Sequence, residues 1–209
     1  MKLYDCHTAP SPRRVRIFLA EKDIELENVE VDLSSGEQFS PAFRELNPDC
    51  VVPVLELDDG RRITEVTAIC HYLDETFPAP PLFGTTPASR ARALEWNAKV
   101  EQQGLSAAAD LFRNTARGLQ GHALPGPDGY EQIPELAERG RQRVIAFLRR
   151  LEEQLRHEQY VAGDEFTIAD ITAMVLVDFA AWSKIEVPTD SGNLKRWYEA
   201  VSSRPSARA

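Results

Sequence analysis

Apolar and polar residues alternate at the start of the chain and again over 26–31, the period of two expected of strands. Between these runs, Val15, Phe18 and Leu19 recur at helical spacing and predict a helix over 12–22. The stretch before it, His7-Thr8-Ala9-Pro10-Ser11-Pro12, reads as a loop, because prolines two apart do not continue a strand. A short helix is expected over 41–46, then a turn at Asn47-Pro48 and a short apolar run, Val51-Val52-Pro53-Val54-Leu55. Asp58-Asp59-Gly60 is a hairpin turn. After one more short strand, Thr64-Glu65 leads into a helix with Ala68, Ile69, Tyr72 and Leu73 at helical spacing. The order is β-α-β, then β-hairpin, then helix.

Phe77-Pro78-Ala79-Pro80-Pro81 ends this regime, since prolines so dense suit neither a helix nor a central strand. Beyond it every periodic segment is helical. One pattern runs over 88–117 with Leu94, Val100, Leu105 and Leu111, and a second over 131–159 with Val144, Phe147, Leu148, Leu151 and Leu155. The segment 167–182 is apolar all round and is expected to be central; a fourth helix covers 191–202. A loop over 118–130 carries four glycines and two prolines. The domains predicted are an α/β unit over 1–77, a linker over 78–87 and an all-helical unit over 88–209. Within the second, Phe166-Thr167-Ile168-Ala169-Asp170-Ile171 reads as a capping box, Thr167 at the N-cap and Asp170 three residues on, with Phe166 able to pack on Ile171.

The chain has 209 residues and a net charge of −9, which disfavours nucleic acid and anionic membranes as partners. No run is apolar and long enough to span a bilayer, and the opening MKLYDCH has no signal-peptide character. The three cysteines, Cys6, Cys50 and Cys70, form no Cys-x-x-Cys spacing. Disulfides, a metal site and a dithiol redox motif are therefore not expected, and a reducing cytoplasm is the simplest setting.

The chemistry concentrates between Asn47 and Leu73. A proline inside a short apolar run suggests a bend, in cis form at Val52–Pro53, that leaves the Val52 N–H and C=O for something other than a neighbouring strand. An extended peptide is one candidate. The helix that follows Glu65 presents an N-terminus suited to a carboxylate.

The pattern NP…VPVLE…DG…ITE-x-TAI-x-x-YL resembles the glutathione-binding segment of the soluble (cytosolic) glutathione transferases, and the order of an α/β unit and a helical bundle is similar over nearly the whole chain. The resemblance is to an atypical bacterial member. It implies a thioredoxin-like first domain, glutathione as co-substrate, no metal, a cytoplasmic homodimer and a role in detoxification. It places Val52, with cis Pro53, on the cysteinyl backbone of glutathione and Glu65 with the following N–H on its γ-glutamyl end. The family's serine after that glutamate is replaced by Val66, whose N–H remains. In GEQFSPAF, Gln38 falls where related branches hold the glycyl carboxylate.

Thiol activation is the open point. The family's catalytic serine position holds Ala9, and the position of the cysteine-using branches holds Ser11. Ser11 is the first candidate partner for the thiol and Thr8 the second; the helix N-terminus with Arg13 and Arg14 is a third source of thiolate stabilisation. His122, in His-Ala-Leu-Pro-Gly, matches a stretch of a fungal-type branch that also lacks the usual Ser, Tyr or Cys, where a histidine helps activate the thiol. His7, Thr8, Phe112 and Arg113 are the expected walls for a small hydrophobic electrophile, between the two domains; Arg113 and Arg117 bear on whether it is acidic. Three readings compete with conjugation: a non-catalytic scaffold of the same fold, a glutathione-dependent isomerase, and a thiol reductase, the last disfavoured by Ala9.

Overall fold

The computed structural model describes all residues, 1–209. The chain forms two compact units. One comprises Met1–Pro80, Pro125–Asp128 and Arg208–Ala209; the other comprises Pro81–Leu124 and Gly129–Ala207.

The first unit is built on a four-stranded sheet of order β2-β1-β3-β4, with β1 Lys2–Asp5, β2 Glu27–Glu30, β3 Val54–Glu56 and β4 Arg62–Ile63. β1 runs parallel to β2, with Lys2 opposite Glu27, and antiparallel to β3, with Leu3 opposite Leu55. Helix α1, Pro10–Glu21, makes the crossover between β1 and β2 and packs against α3, Val66–Thr76. Helix α2, Pro41–Leu46, is capped by Ser40, whose hydroxyl accepts the Phe43 N–H at 3.2 Å. Cys6, Val31, Phe43, Leu46, Val52 and Val54 form one buried cluster, and Ala9 packs against it. At the other end of α1, the buried Lys22 ammonium donates to the Phe77 and Pro80 carbonyls, both at 2.6 Å, and pairs with Asp74 at 2.6 Å. That ties the ends of α1 and α3 to the start of the proline-rich segment.

Helix α1 begins two residues earlier than its periodicity predicts. Pro10 and Pro12 fall in its first turn, where N–H groups have no intrahelical acceptor and proline is tolerated. Pro10 therefore opens the helix together with Pro12, instead of lying in the loop before it.

The second unit is helical: α4 Pro87–Lys99, α5 Ser106–Arg113, α6 Pro134–Gln154, α7 Ile168–Trp182 and α8 Gly192–Ser202. The single helix expected over 88–117 is interrupted by a π-helical turn, Val100–Leu105, between α4 and α5. Its buried face is Ala93, Trp96, Val100, Gly104, Ala107 and Leu111, while Leu94 lies outside the core. Small residues on that face allow close approach. A Cβ on Gly104 would stand 2.3 Å from the Leu176 side chain, and one on Gly140 of α6 would stand 2.7 Å from the Ala107 carbonyl oxygen. Helix α6 is shorter than the predicted 131–159, starting where Pro134 takes a first-turn position.

Helix α7 is the buried centre, as its composition implies. Thr167 caps it and Asp170 completes the box. The Asp170 carboxylate is fully buried and accepts four bonds: Val161 N–H and Trp197 Nε1–H on one oxygen, both 2.8 Å, and Thr167 N–H (2.9 Å) and O–H (3.2 Å) on the other. Burial, working against these donors, pushes its pKa up to about 6. Phe166 meets the Tyr160 ring edge-on, with the Arg204 guanidinium over its own ring. No helix is long and apolar enough to cross a membrane.

Candidate active site

The turn that precedes Val52 is built by one buried side chain. The Asn47 amide donates to the Val51 carbonyl at 2.8 Å and its oxygen accepts the Asp49 N–H at 3.1 Å. The Asn47 carbonyl accepts the Cys50 N–H, and Cys50 takes a left-handed φ of 54°. The chain then reaches Val52, whose peptide bond to Pro53 is cis. β3 starts after Pro53, so the Val52 N–H and C=O make no backbone bond within the chain. The Val52 side chain is anchored in the same cluster as Cys6 and Ala9. Apolar packing thus brings the start of α1 to this unpaired edge. A second cis bond, Ala79–Pro80, lies in the proline-rich segment and was not legible in the sequence.

Glu65 is the N-cap of α3. Its carbonyl accepts the Ile69 N–H at 2.8 Å, while its exposed carboxylate does not fold back on the helix. The Val66 N–H, at the first helical position, has no intrahelical acceptor. The Val66 side chain is buried, so at this position the chain uses an apolar contact in place of a hydroxyl. Gln38 sits in a one-turn 3-10 helix, Glu37–Phe39, and its amide oxygen is buried with no hydrogen-bond partner. A buried polar atom left unpaired costs about 1–3 kcal/mol.

The loop from β1 to α1 is held rigidly. Arg16 donates to the buried Asp5 carboxylate at 2.6 Å and to the His7 carbonyl at 2.9 Å, and Asp5 also accepts the Asn28 amide at 3.0 Å. The His7 N–H donates to Glu30 at 2.9 Å, leaving its imidazole on the surface. The Thr8 hydroxyl lies 3.5 Å from the Cys6 sulfur. A turn from Cys6 to Ala9 (2.9 Å) brings the chain to the helix, whose first main-chain bond runs from the Arg13 N–H to the Ala9 carbonyl at 3.3 Å. Pro10 and Pro12 have no N–H. Ser11, half-buried between them, therefore carries the one first-turn N–H without an intrahelical acceptor, together with a hydroxyl. The helix N-terminus as a general anion site narrows to this residue.

In the helical unit, Phe112 of α5 forms an edge-on trio with Phe179 (5.5 Å) and Trp182 (5.7 Å) of α7, which lie 5.1 Å from each other. Trp182 is 53% exposed. The sequence pointed to Phe112 alone of the three, since only the packing of α5 on α7 brings Phe179 and Trp182 to it.

Arg113 does not stand as the open wall that its charge suggested. Its guanidinium turns onto main-chain carbonyls of the loop that follows: His122 at 2.6 Å, Leu124 at 2.9 Å and Ala123 at 3.2 Å. Partial burial lowers its pKa from the ordinary arginine value. His122 is exposed, and its segment pairs with Tyr130 through the Ala123 N–H to the Tyr130 carbonyl (2.9 Å) and the Tyr130 N–H to the Gly121 carbonyl (2.8 Å).

A thioredoxin-like α/β unit with an unpaired valine edge before a cis proline, joined to a helical bundle, is the architecture of the soluble glutathione transferases. Comparison with known proteins agrees. A model of the glutathione S-transferase N-terminal domain matches residues 8–76, and a model of the C-terminal domain matches 120–205. Glutathione S-transferase 2 of Saccharomyces cerevisiae is 36% identical over 211 residues, spanning 100% of this chain and 88% of the relative. The crystal structure of Gtt2 from the same yeast matches at a TM-score of 0.91 and 36% identity, covering 100% of this chain and 99% of that one. A glutathione S-transferase domain-containing protein of Marinobacter aquaeolei VT8 matches at 0.92 and 37%, covering 99% of each. The chain belongs to the glutathione S-transferase family, and glutathione transfer is its class of chemistry.

Proposed function

We propose that this chain joins the glutathione thiol to small apolar electrophiles, with glutathione lying along Val52 and Pro53 as an added strand. The observation that carries this is the Val52 main chain, unpaired within the chain, with the Val52 side chain in the buried cluster that Ala9 packs against. Glu65 pairs with the γ-glutamyl ammonium, the Val66 N–H meets that end's carboxylate, and Gln38 meets the glycyl carboxylate. His7 and Phe112, the latter extended by Phe179 and Trp182, wall the electrophile.

In the reaction, the thiol loses its proton to the His122 imidazole, directly or through water. The Ser11 hydroxyl and N–H stabilise the thiolate, with Thr8 next to it as the second hydroxyl. The sulfur lone pair then forms the S–C bond while the leaving group departs with its electron pair. The protein acts as a cytoplasmic homodimer in detoxification, needing no metal.

The test is conjugation of glutathione to a chromogenic aryl halide, in parallel with calorimetric titration by glutathione. Turnover that falls in both Ser11→Ala and His122→Ala while binding is kept supports the assignment. Binding without turnover in the wild type would favour the scaffold reading, which Ala9 and Val66, in place of family hydroxyls, support.

A further inference from the structure

Arg113 closes α5, yet its guanidinium reaches carbonyls nine to eleven residues ahead instead of the last carbonyls of its own helix. Three of its N–H donations fall on consecutive residues, His122, Ala123 and Leu124. Bonds from a charged donor are roughly twice as strong as neutral ones, and a planar fork meeting adjacent carbonyls fixes direction as well as distance. The far side of the loop is held separately. The Gln132 amide donates to the Arg113 and Ala116 carbonyls at 2.7 and 2.8 Å, and the Asn114 side chain accepts the Ile133 N–H at 2.8 Å. The tip, Pro125–Asp128, belongs to the first compact unit, where a Cβ on Gly126 would lie 3.7 Å from the Asp49 carbonyl oxygen. His122 thus stands in a loop that is tied down on both sides, and Arg113 holds its main-chain carbonyl.

We propose that Arg113 is a positioning residue for thiol activation: it holds the main chain of His122, so that the imidazole is set before substrate arrives. This rests on the reading of His122 as the thiol's proton acceptor. Most of the Arg113 donor capacity is spent on this loop. A proton acceptor displaced by about 1 Å loses on the order of 10²-fold in rate, so the strap has a kinetic consequence as well as a structural one.

The experiment combines hydrogen exchange with a double-mutant cycle on full-length protein. Arg113→Ala, Arg113→Lys, His122→Ala and Arg113→Ala/His122→Ala are compared by exchange over 119–131, by glutathione affinity and by kcat for aryl-halide conjugation. The expected result is faster exchange confined to 119–131 in Arg113→Ala, unchanged glutathione affinity, and kcat lowered at least about tenfold, towards the His122→Ala value. The double variant should be no slower than His122→Ala alone, because Arg113 acts through His122. Arg113→Lys keeps the charge, offers a single point donor and falls between; it also serves if Arg113→Ala does not fold. Unchanged exchange in both single Arg113 variants overturns the strap itself. Faster exchange with kcat unaffected by His122→Ala overturns the positioning role through failure of the His122 reading, leaving the strap intact. Rate losses that multiply in the double variant overturn it as well, by making Arg113 independent of His122.

Discussion

The Arg13 N–H bonds the Ala9 carbonyl at 3.3 Å, closing the first turn of α1 around two prolines. With Pro10 and Pro12 unable to donate, Ser11 presents both remaining donors of that turn, its N–H and its hydroxyl. Ser11→Ala keeps the first and removes the second. A hydrogen bond to a charged group contributes about 1.5–3 kcal/mol. The variant should therefore lose about tenfold or more in kcat/KM, raise the thiol pKa of bound glutathione, and bind glutathione within about twofold of the wild type. Ultraviolet titration of the thiolate and steady-state kinetics measure both. Turnover indifferent to Ser11→Ala moves thiolate stabilisation to Thr8 or to the N–H alone.

Val66 stands at the head of α3 with its side chain buried and its N–H without an intrahelical acceptor. Val66→Ser restores a hydroxyl beside that N–H and removes two buried methyl groups. One added hydrogen bond of about 0.5–1.5 kcal/mol tightens glutathione roughly 2–10-fold. The lost burial lowers stability by about 1–2 kcal/mol. Calorimetry and chemical denaturation on the same protein should show these opposite signs.

Asp170 lies at the centre of the helical unit, and burial raises its pKa to about 6. A carboxyl with a folded-state pKa above its unfolded value of 3.8 favours folding when protonated. Its contribution is complete below pH 3.8 and is lost as pH rises through 6, a change of about 3 kcal/mol. Asp170→Asn does not titrate. The stability of the wild type minus that of Asp170→Asn should decline between pH 4 and pH 7 in urea denaturation. A difference that grows with pH would mean that the four donors hold the carboxylate ionised. Asp170→Ala should fold poorly, yet whatever folds should still bind glutathione.

Gly140 sits where α6 crosses α5, with main-chain atoms 2.7 and 2.9 Å from the place of a Cβ. Alanine favours a helix by about 1 kcal/mol over glycine, but here the neighbours are backbone and must move together. Gly140→Ala should destabilise by about 1–3 kcal/mol, read from the urea midpoint. Gly192→Ala is the control: nothing lies within 4 Å of its Cβ position, and it should be neutral or stabilising.

Local signals made much of this legible. Phe166-Thr167-Ile168-Ala169-Asp170-Ile171 specified the α7 cap because a capping box is contained within a few residues, and the Asn47–Leu73 stretch gave the cis proline and the N-cap glutamate for the same reason. The start of α1 lies two residues before the predicted one, because Pro10 as well as Pro12 fits a first turn and the apolar spacing begins only at Val15. The π-helical turn at Val100–Leu105 leaves the apolar spacing helical on both sides, so periodicity does not register it. The Arg113 bonds to the loop were not legible because a sequence displays its charge and not where the guanidinium points. The Phe112, Phe179 and Trp182 trio depends on two helices meeting, which no spacing within either helix announces.

The central claim is that the edge from Val52 to Val66 holds glutathione. Calorimetric titration of glutathione into the wild type and Glu65→Ala tests it most directly, with thermal melts to show that both are folded. The account predicts saturable binding at one site per chain in the wild type and a loss of about tenfold or more in Glu65→Ala, since the γ-glutamyl ammonium loses its charged partner. Wild-type protein that is folded and takes up no glutathione, or a Glu65→Ala variant that binds as tightly as the wild type, would contradict it.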